Sequence, residues 1–396
     1  MQLLGSTANL LRVRKEGEHA RVTFVELFYD LVFVFAVTQL SHGLVGHMTP
    51  IGAVQIGLLF LAMWWVWVDT CWVANWLDPE RTPVRTLLMV LMLAGLAMST
   101  SIPQAFGERG LVFALAIAFS QVGRGIFMLW ALRRHHHGNF LNFVRITAWL
   151  GSAAVFWIWG GLAGEGARLT FWIAALAIEC AAPALGFWLP RLGRSTTQDW
   201  DIDGAHMAER CGLFIIIALG ESILVTGARF SALEFNTLTV AAFLACFIGS
   251  VAMWWIYFDI TADKASRRIA QDQDPGRLAR LAYTYFHIPI VAGIIVTAVA
   301  DELVLEHPDG HVTLAYALVM AGGPALFLLG NILFKRATAG RIPRSHVLGL
   351  ALLAICAVLS LLMTPLGLTA ATTTVLVVVA FVETIGLRRT TAAKAA

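Results

Sequence analysis

Apolar residues in this chain come in long unbroken runs, neither in the alternation of a half-buried strand nor as the one-sided stripe of a soluble helix. A helix crossing the hydrocarbon layer needs about 17–25 such residues. Twelve runs satisfy that: 24–45, 51–75, 86–105, 111–132, 143–163, 169–190, 207–228, 237–258, 282–303, 313–334, 346–365 and 370–387. The connections between them are short and rich in Gly, Pro and charge, which leaves no room for a separate soluble domain. The pattern predicts an all-α polytopic membrane protein.

One stretch occurs twice. Ala62-Met63-Trp64-Trp65-Val66-Trp67-Val68-Asp69 returns as Ala252-Met253-Trp254-Trp255-Ile256-Tyr257-Phe258-Asp259, and each copy closes an apolar run. Ala36–Leu40 lies over Ala218–Ser222, and Leu132-Arg133-Arg134 over Phe334-Lys335-Arg336, at a near-constant offset. The expected organisation is a cytoplasmic segment at 1–23, a first six-helix repeat at 24–195, and a second at 196–396 with a short cytoplasmic tail. With six spans per copy, the two pseudo-repeats run in parallel.

Composition strengthens the membrane reading. Hydrophobic residues make up 58% of the 396 and charged residues 13%, and the mean hydropathy is +0.74. The positions of the charges say more than their net value of +3. With the N-terminus in the cytoplasm, 24 of the 28 Lys and Arg fall on that side; Arg109, Arg168 and Arg229 lie opposite and Arg124 inside a span. The positive-inside rule then predicts that both termini are cytoplasmic. No loop carries a continuous basic and aromatic face, so nucleic acid is not an expected partner. The five cysteines show no C-x-x-C spacing, which predicts neither disulfides nor zinc; with no short apolar core followed by an A-x-A-like site, the first apolar helix is expected to be retained rather than cleaved.

Ionisable residues inside spans are costly and mark either a pathway or a structural pair. Glu26 and Asp30 stand four apart on one face of the first span. Two carboxylates so close repel, which suggests a proton or cation site, or else an interfacial pair neutralised by loop arginines. The seventh span opens with His206, Glu209 and Arg210. It reaches Glu221 eleven residues later, about 16 Å deeper on the same face, and Gly220 there is expected to allow close approach of a helix or ligand. Gln39 is its repeat counterpart. Arg124 cannot shed its charge in hydrocarbon and needs a carboxylate partner or an anionic ligand, with Glu26, Asp30, Glu179 and Glu221 as the candidate carboxylates. Asp69 and Asp259 each follow a Trp by four residues, where an interfacial aromatic belt accounts for the tryptophans. Glu179 sits among alanines, and His287 precedes Pro289, where a packing histidine competes with a site. His135-His136-His137 do not share a helical face, so no metal is expected. With no phosphate loop, H-E-x-x-H or nucleophile elbow, neither catalytic residues nor a cofactor are assigned.

Two stretches resemble the signature of the bacterial low temperature requirement A family. They are Glu26-Leu27-Phe28-Tyr29-Asp30-Leu31-Val32-Phe33-Val34-Phe35-Ala36, and His206-Met207-Ala208-Glu209-Arg210-Cys211-Gly212-Leu213-Phe214 continuing to Leu219-Gly220-Glu221-Ser222-Ile223. The resemblance implies an integral membrane protein and carries no settled substrate. Phe28–Phe33 is also similar to the Phe-Ser-Asp motif of a potassium channel family built from six-helix repeats; Tyr29 replaces the Ser, and Cys211-Gly212-Leu213 stands where a second Asp belongs.

The expected function is a secondary transporter or proton-coupled carrier, its two halves meeting around Glu26, Asp30, Arg124, Glu209, Arg210 and Glu221. Its partners would be membrane lipids and protons or a small ion or solute, with a homo-oligomer left open. A cation channel and a membrane-embedded lipid-related enzyme or factor are the alternatives.

Overall fold

All twelve apolar runs are helical. The computed structural model describes residues 9–12, 21–133, 137–196, 202–258, 268, 272 and 274–395, and among these twelve helices are long and apolar enough to cross a membrane. They are α1 (Phe24–Gly46), α2 (Pro50–Trp76), α3 (Thr82–Ser101), α4 (Gly110–Leu132), α5 (His137–Leu162), α6 (Glu165–Ala184), α7 (Gly204–Ser231), α8 (Thr237–Phe258), α9 (Pro275–Glu306), α10 (Leu314–Ala339), α11 (Arg344–Leu359) and α12 (Pro365–Ala395). The described residues form no sheet; Leu11 pairs with Leu77, and Leu189 with Gly193, as isolated bridges.

Several boundaries depart from the hydropathy pattern, and at two of them the backbone gives the reason. The sixth helix stops at Ala184 instead of continuing to 190, because Pro183 interrupts the backbone ladder and the chain then enters left-handed conformations at Gly186 (φ 63°), Phe187 (φ 50°) and Arg191 (φ 67°). Trp149 Nε1 and Arg145 Nε on α5 hold that turn by donating to the carbonyls of Trp188 (3.0 Å) and Leu192 (3.1 Å). The ninth helix starts at Pro275, earlier than the expected 282, and contains a wide π turn over Arg280–Tyr285. The ring of Pro289 would crowd the carbonyl four residues before it, that of Tyr285, where the widened turn ends.

The chain divides into two compact units. The first is Met1–Gln39, Val54–Met207 and Asp274–Gly276; the second is Leu40–Ala53, Ala208–Gln273 and Arg277–Ala396. In the first unit α3 packs on α4, α4 on α5, and α5 on α6. Small residues bring these helices close: a Cβ on Gly161 would lie 2.9 Å from the Ala114 Cβ and 3.0 Å from the Leu111 Cα, and one on Gly160 would strike the Trp172 ring at 2.4 Å. The N-terminal segment straps one end of this unit. Leu10 packs with Leu77, Val84, Met128 and Leu132, while Arg12 N donates to the Trp76 carbonyl (2.8 Å) and Asp78 N to that of Leu10 (2.9 Å).

In the second unit α9 packs on α10, α8 on α12, and α11 on both α10 and α12. The α9–α10 seam is lined by glycines, where added Cβ atoms would meet backbone: Gly293 against Phe327 N (2.4 Å), Gly323 against Thr297 N (2.7 Å) and Gly330 against Ile290 N (2.7 Å).

The duplicated stretch has two environments. Trp64, Trp65 and Trp67 on α2 are buried, which overturns the interfacial-belt explanation for that copy, whereas Trp254 and Trp255 on α8 are 45% and 44% exposed. Asp259, His135 and His136 lie outside the described residues, as does the His137 side chain.

Candidate functional site

From Ala62 to Asn75 every residue of α2 is buried except Asp69, which keeps 30% of its side chain accessible. An ion pair sits there. Arg124 on α4, 2% exposed, reaches Asp69 Oδ2 through Nη2 at 3.2 Å. The same Nη2 donates to Gln121 Oε1, and Nη1 donates to Thr70 Oγ1 (3.0 Å) and to the Val66 carbonyl (3.4 Å). Asp69 was not among the partners anticipated for Arg124, and it displaces Glu26, Asp30 and Glu221 from that role. The reason is register: Asp69 on α2 and Arg124 on α4 both lie seven or eight residues before the ends of adjacent descending helices.

Because Gln121 Oε1 accepts from Arg124, its amide nitrogen faces the other way and donates to Glu179 Oε1 at 3.5 Å. Trp157 Nε1 on α5 donates to the same oxygen at 3.2 Å. Glu179 itself is 5% exposed on α6, and its Oε2 is buried with no hydrogen-bond partner among the described residues. Asp69, Arg124, Gln121 and Glu179 thus form one polar chain across α2, α4 and α6. It holds two carboxylates and one guanidinium, the first carboxylate open and the second sealed. Tyr29 joins it from α1, donating to Thr70 Oγ1 at 3.0 Å, and that hydroxyl donates onward to the Val66 carbonyl at 2.8 Å.

The contacts of Glu26 and Asp30 differ, and Glu26 pairs with an arginine of the N-terminal segment. Glu26, in the first turn of α1, accepts at Oε2 from Thr23 N (2.8 Å), Thr23 Oγ1 (2.8 Å) and Arg12 Nη2 (3.0 Å). Its Oε1 lies 2.8 Å from His206 Nε2. Asn75 exchanges two hydrogen bonds with the Asp203 backbone, so its Nδ2 faces His206 Nδ1 at 3.2 Å; this assigns Nδ1 as acceptor and Nε2–H as the donor to Glu26. The group ties the N-terminal strap to the ends of α1, α2 and α7. Asp30, fully buried, instead accepts from Trp67 Nε1 at 2.8 Å.

The remaining candidates belong to both units. Gln39 is half-buried at the limit of the first unit; in the second, Arg210 is buried, Glu209 exposed and Glu221 half-buried. A Cβ on Gly220 would meet nothing within 4 Å, so the close approach expected beside Glu221 is not made. His287 is satisfied, with Nδ1 against the Ala282 carbonyl (2.8 Å) and Nε2 against the Tyr257 hydroxyl (2.8 Å).

Several polar residues escaped the sequence reading. In the second unit Lys335 Nζ pairs with both Glu383 oxygens (2.7 and 2.8 Å) beside His346. Asp301 is buried on α9 against Ser222 Oγ, 3.4 Å from its Oδ2. The signal for Asp301 was present: Asp301-Glu302 lies within the expected ninth run, and an acidic pair inside hydrocarbon calls for partners. Lys335 looked like an ordinary loop cation at the end of its run.

Residues 21–381 match the family model described as Bacterial low temperature requirement A protein (LtrA). The chain belongs to this family. The LtrA match takes in the two stretches that suggested it, the whole Asp69–Arg124–Gln121–Glu179 chain, and Asp301; Arg12 and Glu383 lie beyond it. Outside the family model, the chain is similar to the uncharacterized protein RA0937 of Rhizobium meliloti (strain 1021), at 42% identity over 379 residues, 95% of this chain and 92% of that relative. No solved structure matches this LtrA-family chain.

Proposed function

We propose that this LtrA-family protein is a secondary carrier of the bacterial cytoplasmic membrane, coupled to protons or another small ion. The observation that supports this most is the polar chain Asp69–Arg124–Gln121–Glu179, placed where twelve apolar helices leave few reasons for charge. A purely structural ion pair needs one carboxylate for Arg124; here there are two, and the second has an oxygen with nothing to bond. Glu179 Oε2 is the atom to which a proton attaches and from which it leaves. Asp69, the open member, is the point of exchange. Arg124 lies between them and compensates whichever carboxylate carries the charge.

On this reading the two halves are like-oriented pseudo-repeats that rock against each other, with both termini cytoplasmic. Glu26, Asp30, Gln39, His206, Glu209, Arg210 and Glu221 are retained as secondary positions for substrate or ion.

The test is proton flux. Liposomes loaded with a pH-sensitive dye and a bacterial metabolite extract are given an acid exterior. The wild type should acidify the lumen faster in the presence of the extract, and Glu179→Gln should reduce that extract-dependent rate at least tenfold. A wild-type rate in Glu179→Gln sinks the assignment of this residue. A steady current that needs no exchanging solute would make the protein a channel and end the carrier reading.

A further inference from the structure

We propose a second ion site in the other unit: Asp301, with Ser222 and Thr226, binds a small monovalent cation such as sodium. If the carrier reading holds, this would be its coupling ion, yet the site rests on residues of the second unit alone.

Asp301 lies on α9, 3% exposed, in the second-last turn before the helix end at Glu306. Ser222 Oγ on α7 donates to Asp301 Oδ2 at 3.4 Å; Thr226, four residues on and so on the same face, and Cys246 of α8 are further side-chain neighbours of the carboxyl group. Every one of these groups is neutral, and Asp301 makes no ion pair among the described residues. A carboxyl group buried in a membrane helix with only neutral neighbours needs either a proton or a bound cation to balance its charge. The nearby cation is already engaged. Arg229, one turn past Thr226, binds Glu302 through Nε (3.0 Å) and Glu306 through Nη2 (2.9 Å). That corner of the unit therefore holds one guanidinium and three carboxylates, an excess of negative charge beside the exposed Arg229.

The donor chemistry defines the occupant. A carboxylate and two hydroxyls are hard oxygen ligands, suited to an alkali cation and poorly suited to a soft metal. One buried carboxylate neutralises one charge, so a divalent ion would leave a positive charge uncompensated in hydrocarbon.

Binding can be read without any transport, so its outcome is separate from that of the flux assay. Thermal unfolding of the purified full-length protein in detergent is followed against sodium chloride, with choline chloride keeping ionic strength constant, and repeated with lithium, potassium and calcium. Ligand that binds the folded state raises the midpoint in a saturable way. The wild type should show that rise with an alkali cation, and Asp301→Asn should lose the cation-dependent increment whatever its own midpoint. Ser222→Ala and Thr226→Val, milder changes, should raise the half-saturating concentration roughly tenfold. No alkali-dependent increment in the wild type, an increment given only by calcium, or one that survives in Asp301→Asn would each overturn the site.

Discussion

At the residue scale the informative group is Arg124. Its charge was bound to find a carboxylate, and that much was legible from its place inside an apolar run. Which carboxylate was not legible, because the choice among Asp69, Glu179 and the acids of α1 and α7 depends on how helices far apart in sequence are rotated and staggered. Arg124→Met should lower stability towards the lower end of the roughly 3–5 kcal/mol expected on losing one partner of a buried pair, since Asp69 keeps 30% of its side chain accessible. Adding Asp69→Asn to that variant should recover part of the loss. The check is a thermal double-mutant cycle in detergent; additive effects would show that the two residues are not coupled. Glu26 teaches the same lesson from the other side. Its spacing from Asp30 suggested a shared site, but helix geometry only places two residues on a common face. Thr23, Arg12 and His206 then claimed one carboxylate and Trp67 the other.

At the element scale, hydropathy located the helices within a few residues, because a helix is the only way for one segment to satisfy its backbone in lipid. It misplaced ends governed by local backbone chemistry. The sixth run stayed apolar to 190 while Pro183 and the left-handed residues after Ala184 had already turned the chain, and no count of apolar residues senses that. Helix pairing was equally hidden: the glycines of α9 and α10 read as unremarkable until they meet. Packing in lipid relies on such close approach, as water offers no drive to press apolar helices together there. Gly293→Ala puts a methyl where the Phe327 amide nitrogen lies at 2.4 Å and the Gly323 carbonyl at 2.8 Å, both backbone atoms with little room to yield. It should cost about 1–3 kcal/mol, the usual range for overpacking, seen as a lower unfolding midpoint. Gly220→Ala, where the added methyl meets nothing within 4 Å, should leave the midpoint nearly unchanged. Equal losses at the two glycines would show that close approach along α9 and α10 is not what fixes that pair.

At the scale of the whole molecule, orientation is an expectation that charge supplies. Even numbers of spans return the chain to its starting side, and 24 of 28 basic residues gather on the side of the N-terminus when twelve are threaded. Moving one span in or out would invert every later loop, so the count and the charge bias support each other. The prediction is that green fluorescent protein fused after Ala396 is fluorescent, and that alkaline phosphatase at the same point is inactive, since its disulfides form only in the periplasm. Phosphatase inserted in the short connection between Ser231 and Thr237, next to Arg229, should be active. That second fusion matters because its activity would put the Arg229–Glu302–Glu306 cluster on the outer face, where a cation arriving from outside would meet it. An active phosphatase at the C-terminus would reverse this polarity or remove a span. In either case two like-oriented repeats with cytoplasmic ends could not be kept.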